Sequence, residues 1–200
     1  MRGWLHEPVA AASSKGLVIT HGAGSNCESP LLRSAAETFA VAGFFVLRCD
    51  LPYRQQRPTG PPFPDAAVRD REGLQRASEA MREITPEYVI LGGHSYGGRQ
   101  ATLLAAETPG VADMLLLLSY PLHPPRKPEQ LRTQHFPKLR TSALFIHGTR
   151  DPFGSIEEMS TALSAIPARH QLVTIEKAGH ELGAAAAAVI LREAECFANA

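Results

Sequence analysis

Tyr88-Val89-Ile90-Leu91 runs straight into Gly92-Gly93-His94-Ser95-Tyr96-Gly97-Gly98, and a helical stretch, residues 97–108, follows at once. A short apolar, β-rich run reads as a buried strand, so a serine between that strand and the helix must occupy a very tight turn. On such a turn the residues two places to either side have to be small, or strand and helix collide. Gly93 and Gly97 meet that need. The pattern Gly93-x-Ser95-x-Gly97 is that of a nucleophile elbow, which lifts a serine hydroxyl clear of the carboxyl edge of a sheet. The plainer reading makes the glycines a packed turn and Ser95 a bystander; what separates the two is whether partners for Ser95 exist elsewhere in the chain.

Further apolar runs flank this one at 17–20, 44–47, 114–118, 143–146 and 171–175. Between them, residues 30–42, 65–84, 97–108, 155–166 and 180–198 read as helices. Pro86, Pro109 and Pro167 stand just past three of these, where a residue without an N–H ends a helix cheaply. Strand and helix in alternation predict an α/β fold: a three-layer α/β/α sandwich around a mostly parallel sheet of about six to seven strands, the seventh arising if residues 2–10 pair at an edge. Most of the runs lack apolar–polar alternation, as strands covered on both faces do. Neither a repeat nor a linker interrupts the 200 residues, so one domain over 1–200 is expected.

Partners for Ser95 stand after two later runs. Asp151 lies in His147-Gly148-Thr149-Arg150-Asp151-Pro152, and His180 in Lys177-Ala178-Gly179-His180-Glu181. Both positions fall at the carboxyl end of a strand, on the same rim as Ser95. A serine hydroxyl is a weak nucleophile until a neutral imidazole takes its proton, and that imidazole needs a carboxylate to fix its tautomer and stabilise its cation. The chain order Ser, Asp, His is the one that accompanies a nucleophile elbow. Singly, Asp151 before Pro152 reads equally as the start of a turn, and His180 as the cap of the last helix; the combination with the elbow makes them the candidate catalytic set. His21 and His147 also stand at strand ends, but His21 begins a glycine loop and His147 precedes Asp151 by only four positions.

The loop His21-Gly22-Ala23-Gly24-Ser25-Asn26 follows the first parallel strand. A backbone N–H of Gly22 or Ala23, paired with that of Tyr96, would bind a developing oxyanion and stabilise the transition state by a few kcal/mol. The loop matches neither dinucleotide-binding nor P-loop spacing, which disfavours a nucleotide site.

Twenty Lys+Arg balance 20 Asp+Glu, scattered along the chain, so neither nucleic acid nor an anionic membrane surface is an expected partner. Cys27, Cys49 and Cys196 are odd in number and widely spaced, fitting neither a disulfide framework nor a zinc motif. They read as reduced thiols, and the N-terminal dozen residues make a poor secretory signal, so a cytoplasmic protein is expected. The apolar runs at 114–118 and 184–188 are far shorter than the roughly 20 residues a spanning helix needs, so no membrane insertion is expected.

On these residues the sequence resembles the α/β-hydrolase superfamily over nearly its whole length, and within it the small lidless branch of dienelactone hydrolases. His21-Gly22-Ala23-Gly24, Pro52-Tyr53-Arg54, Gly97-Gly98-Arg99 and Tyr120-Pro121-Leu122-His123-Pro124-Pro125 through Leu131-Arg132-Thr133 are similar to an uncharacterised subgroup that includes testis-expressed protein 30 and bacterial relatives. The resemblance implies acyl transfer to water from a small carboxylic ester or thioester through an acyl-enzyme. It assigns Ser95 as nucleophile, His180 as base, Asp151 as orienting acid, and Ala23 and Tyr96, with Gly22, as the oxyanion hole. It implies no metal and no organic cofactor. Dienelactone hydrolases proper carry cysteine at the elbow where this chain has Ser95, so their lactone substrate does not transfer. The subgroup also holds members regarded as complex subunits, so a catalytically silent binding or scaffold protein is the alternative reading.

Only residues 119–141 separate the runs at 114–118 and 143–146, too few for a lid domain. That Pro-, His- and Arg-rich stretch, His123 included, reads either as the lining of a small-molecule pocket together with Tyr53 and Arg54 or as an ordinary solvated loop. Arg54 or Arg99, if it faces the cleft, would grip a substrate carboxylate bidentately; an ordinary surface ion pair is the plainer alternative.

Overall fold

The computed structural model describes residues 2–9 and 14–200; Ala10, Ala11 and Ala12, part of the N-terminal stretch read above, lie outside the described residues. Strand β1 (Gly3–His6) pairs antiparallel with β3 (Phe45–Cys49), whereas β2 (Lys15–Thr20), β3, β4 (Tyr88–His94), β5 (Met114–Leu118), β6 (Ser142–Gly148) and β7 (His170–Ile175) run parallel. The order is β1-β3-β2-β4-β5-β6-β7, seven strands in one sheet. The strand expected near residues 2–10 therefore forms at Gly3–His6, the one antiparallel strand among the described residues.

The apolar runs lack alternation because both faces of the sheet are covered. In β5, Met114, Leu116 and Leu118 pack on one side while Leu115 and Leu117 pack on the other, and all five are fully buried. Helices α1 (Pro30–Val41) and α6 (Ala187–Asn199) cover the first side with Leu32, Phe39, Ile190 and Phe197. Helices α2 (Pro52–Gln56), α3 (Ala66–Ile84), α4 (Tyr96–Glu107) and α5 (Ile156–Leu163) cover the second, through residues such as Leu74, Met81, Leu104 and Met159. Local chemistry marks several helix starts. Ser29 caps α1 by accepting from the Leu32 N–H, with Pro30 in the first turn, and Ser155 and Glu158 form a reciprocal capping box on α5.

Two boundaries differ from the sequence reading. The last helix does not start at His180: residues 180–183 form a loop with Leu182 at φ 53° and Gly183 at φ 78°, a 3₁₀ turn follows at Ala184–Ala186, and α6 begins at Ala187. Its N-cap is Ala186, whose side chain makes no cap bond, so nothing polar announces the start. The proline-rich stretch after β3 also contains a helix, the short α2, with Pro52 in its first turn. No helix among the described residues is long and apolar enough to cross a membrane.

From β2 the chain winds outward to β3, then crosses to β4 on the other side of β2, which puts the switch in winding direction between β2 and β4. Thr20 and Gly93 are register partners there. The loop after β2 and the turn after β4 thus open side by side at the carboxyl edge, the crevice where open α/β sheets bind ligands.

Candidate active site

Ser95 caps α4 at φ 50° and ψ −115°, a backbone conformation that L residues rarely adopt and that persists only under surrounding constraint. The constraint is visible: the Ser95 N–H donates to the Leu118 carbonyl at 2.8 Å, and three glycines leave no room for relaxation. A Cβ on Gly93 would lie 2.7 Å from backbone atoms of Gly97 and Gly98, one on Gly97 2.7 Å from the His21 carbonyl, and one on Gly98 2.7 Å from the Gly93 carbonyl. The small flanks expected at 93 and 97 are required by backbone contact, and Gly98 joins them.

Asp151 follows β6 and His180 follows β7, and the structure brings both side chains to Ser95. His180 Nε2 is 2.8 Å from Ser95 Oγ, and His180 Nδ1 is 2.8 Å from Asp151 Oδ2. A carboxylate only accepts at neutral pH, so Nδ1 carries the proton and Nε2 is left to accept from the serine hydroxyl. Burial on its own would raise the Asp151 pKa. The hydrogen bond and charge of His180, with the Phe153 N–H, outweigh burial and hold the carboxyl below its ordinary range. Chemically, this chain of bonds can pass a proton from hydroxyl to imidazole while a fixed anion steadies the cation that results.

The loop carrying His180 is held from three sides. Phe153 lies against the imidazole with ring centroids 4.2 Å apart. His94 donates from Nε2 to the His180 carbonyl at 2.9 Å. Gly148 allows the end of β6 to close on the loop, since a Cβ there would sit 2.4 Å from the Ala178 carbonyl. Neither His94 nor Phe153 stands out in the sequence as a site residue: His94 offers only its place between Gly93 and Ser95, and Phe153 only its nearness to Asp151.

Gly22, Ala23 and Tyr96, the backbone donors expected to face an oxyanion, line the same cleft as Ser95 and His180, a space of about 770 Å³. Arg99, Pro121 and Arg132 line it as well. Tyr53, Arg54 and His123 are placed elsewhere, which corrects their expected pocket-lining position. The Tyr53 hydroxyl donates to the Ala23 carbonyl at 2.9 Å and to that of Gly22 at 3.3 Å. The Arg54 guanidinium, almost fully buried, is consumed by the carbonyls of Ala23, Ser25, Arg57 and Gly60. With four of its five N–H donors turned to backbone and the group buried, it is not placed to grip a substrate carboxylate bidentately. His123 is buried between the Pro124 carbonyl and Glu158. Behind the loop, Asp70 accepts from the Tyr53 N–H and from the Tyr96 hydroxyl, tying α2 and the start of α4 to α3.

Comparison with known proteins agrees with this architecture. A family described as the alpha/beta hydrolase domain matches residues 13–194. A dienelactone hydrolase from Anabaena variabilis ATCC 29413 superposes with a TM-score of 0.76 at 26% identity, covering 98% of this chain and 90% of that one. XC6422 from Xanthomonas campestris, described as a serine hydrolase without a lid, is similar in fold at TM-score 0.73 and 16% identity, covering 94% and 87%. Est1E from Butyrivibrio proteoclasticus is also similar in fold, at TM-score 0.76 and 16% identity over 99% and 94%. The chain belongs to the alpha/beta hydrolase domain family.

Proposed function

We propose that this hydrolase cleaves a small carboxylic ester or thioester through an acyl-enzyme on Ser95. The reading rests on one observation: the unbroken Ser95–His180–Asp151 chain, with both links at 2.8 Å. In the first step Ser95 Oγ bonds to the acyl carbon as its proton moves to His180 Nε2. Asp151, whose pKa is held below the ordinary carboxylate range, stays ionised and stabilises the imidazolium. Negative charge gathers on the carbonyl oxygen, which the N–H groups of Ala23 and Tyr96 accommodate. The carbon–oxygen or carbon–sulfur bond to the leaving group then breaks, and His180 returns the proton to that group. Water enters, gives a proton to His180 and attacks the acyl carbon; the acid departs and Ser95 is restored.

A fluorophosphonate probe with a reporter tag tests the assignment. It is expected to label the protein and to leave Ser95→Ala and His180→Ala unlabelled, and a panel of 4-nitrophenyl esters and thioesters is expected to lose turnover in the same variants. Labelling that persists in a folded Ser95→Ala variant would remove Ser95 from the role of nucleophile, and no labelling and no turnover in the unaltered protein favours the silent scaffold reading.

A further inference from the structure

Two guanidinium groups line the cleft that holds Ser95, those of Arg99 and Arg132. Arg99 stands one helical turn beyond Ser95, its N–H bonded to the Ser95 carbonyl at 3.0 Å. Side chains so spaced have Cβ atoms about 5–6 Å apart, and a helical side chain leans toward the helix N-terminus, here toward the serine. Arg132 arrives from the stretch after β5. The Tyr120 hydroxyl holds its backbone carbonyl at 2.6 Å, and its Nη1 lies 3.4 Å from the Pro121 carbonyl.

Among the described residues neither arginine is ion-paired with a carboxylate. Ion pairs among the described residues engage Arg2, Arg48, Arg69, Arg71, Arg82 and Arg192, but not these two. Arg99 Nε is buried with no hydrogen-bond partner among the described residues. Burial and the Arg99 charge pull the Arg132 pKa down, and the same pair of causes pushes buried His135 to about 4. Positive charge is therefore crowded here with no carboxylate paired to either guanidinium among the described residues, an arrangement that costs stability until an anion cancels it. Glu181 also lines the cleft, so two guanidinium groups against one carboxylate leave a single positive charge. That balance fits one carboxylate better than a phosphate dianion, and an N–H fork matches carboxylate geometry.

We propose that Arg99 and Arg132 form a carboxylate-binding subsite, and that the substrate carries a free carboxylate near its scissile ester, as a dicarboxylic acid monoester or an acylated hydroxy acid does. The substrate assignment rests on the reading of Ser95 as nucleophile; the subsite can be tested apart from it.

Two matched ester pairs supply the kinetic test: 4-nitrophenyl hydrogen glutarate against 4-nitrophenyl butyrate, and 4-acetoxybenzoate against its methyl ester. In at least one pair the unaltered protein is expected to favour the acidic member in kcat/KM by roughly tenfold or more, and Arg99→Gln and Arg132→Gln are each expected to lower that ratio by a similar factor. Because the ratio is taken within one protein, partial unfolding cancels. No preference in either pair, or a ratio that neither variant moves, overturns the subsite. Calorimetric titration of Ser95→Ala with monomethyl glutarate supplies the second arm. Binding that Arg99→Gln weakens at least tenfold supports the subsite even if no ester is turned over, in which case it is the hydrolytic reading that fails. Absence of binding in a protein that does hydrolyse esters overturns the subsite, and tighter binding of inorganic phosphate overturns the monocarboxylate assignment.

Discussion

The His94 Nε2–H donates to the backbone carbonyl of His180 at 2.9 Å, and the two imidazole rings stand 5.0 Å apart. The residue beside the candidate nucleophile thereby holds the loop of the candidate base, and burial keeps it neutral by pushing its pKa down. His94→Ala is expected to lower kcat by roughly tenfold with KM little changed, because misplacement of a base is felt in the transition state. Glutamine places an amide N–H near the position of Nε2, so His94→Gln is expected to recover most of the loss. Steady-state kinetics on a neutral 4-nitrophenyl ester checks both; a large KM change with kcat intact would contradict the positioning role.

Tyr53 acts on the other half of the cleft. Its hydroxyl anchors the carbonyls of Gly22 and Ala23, and since the C=O and N–H of a trans peptide point opposite ways, anchoring the Gly22 carbonyl turns the Ala23 N–H away from Tyr53. Tyr53→Phe removes the anchor and keeps the ring. A fall in kcat of roughly tenfold is expected, below the cost of deleting an oxyanion donor outright because the donor is loosened and not lost. Rates of fluorophosphonate labelling should fall in parallel.

Arg54→Ala separates support from recognition. Its guanidinium satisfies four backbone carbonyls, so the variant is expected to lose about 2–4 kcal/mol of stability and to lose acidic and neutral ester hydrolysis equally. Urea unfolding and paired kinetics measure the two effects, and a selective loss of the acidic ester would return Arg54 to the substrate site.

These cases show what the chain discloses before it folds. Ser95, Asp151 and His180 could be placed on one edge because each follows an apolar run and parallel strands end on the same side, which makes their meeting a matter of topology. The partners of Tyr53 and Arg54 are carbonyl oxygens, which every residue carries, so no sequence pattern separates a buried bracket from a pocket wall. Only His123 had a nameable partner, Glu158, 35 positions away. The start of α6 was hidden for a related reason: an alanine run offers no polar cap to mark where the helix begins.

Gly98 lies inside α4, where exchanging glycine for alanine ordinarily stabilises by about 0.5–1 kcal/mol. Here a Cβ would stand 2.7 Å from the Gly93 carbonyl, so the sign is expected to reverse. Gly98→Ala should lower stability by about 2 kcal/mol or more through overpacking against backbone, while Gly179→Ala, whose Cβ meets nothing within 4 Å, should change it little. Thermal melts of the two variants check the contrast, and equal melting temperatures would show that strand and helix have more slack than their contact implies.

Acid should unfold the protein in two stages. His21 is fully buried, donating from Nδ1 to the Gly22 carbonyl and accepting at Nε2 from the Leu51 N–H, so both nitrogens are satisfied in the neutral ring. Burial pushes its pKa to about 4, and burial with the Arg99 charge does the same for His135. Between their unfolded pKa near 6.5 and that folded value the unfolded chain binds more protons than the native one, so stability falls as pH falls, with a ceiling on the order of 3 kcal/mol for each histidine. Asp50 and Asp151, both held below the ordinary carboxylate value, contribute stability above about pH 4 that is lost only as pH drops through their folded pKa values. Asp70, raised by burial, works in the opposite sense and softens the decline near that point. Urea midpoints taken from pH 7 to pH 3 should therefore begin to fall near pH 6.5, well before the carboxylates titrate. His21→Asn should be less stable at pH 7 and show a shallower slope between pH 6.5 and 4, because the unfolded chain then has one fewer proton site to fill. A slope equal to that of the unaltered protein would mean that His21 takes up its proton in the native state and that the buried neutral ring is not the source of acid sensitivity.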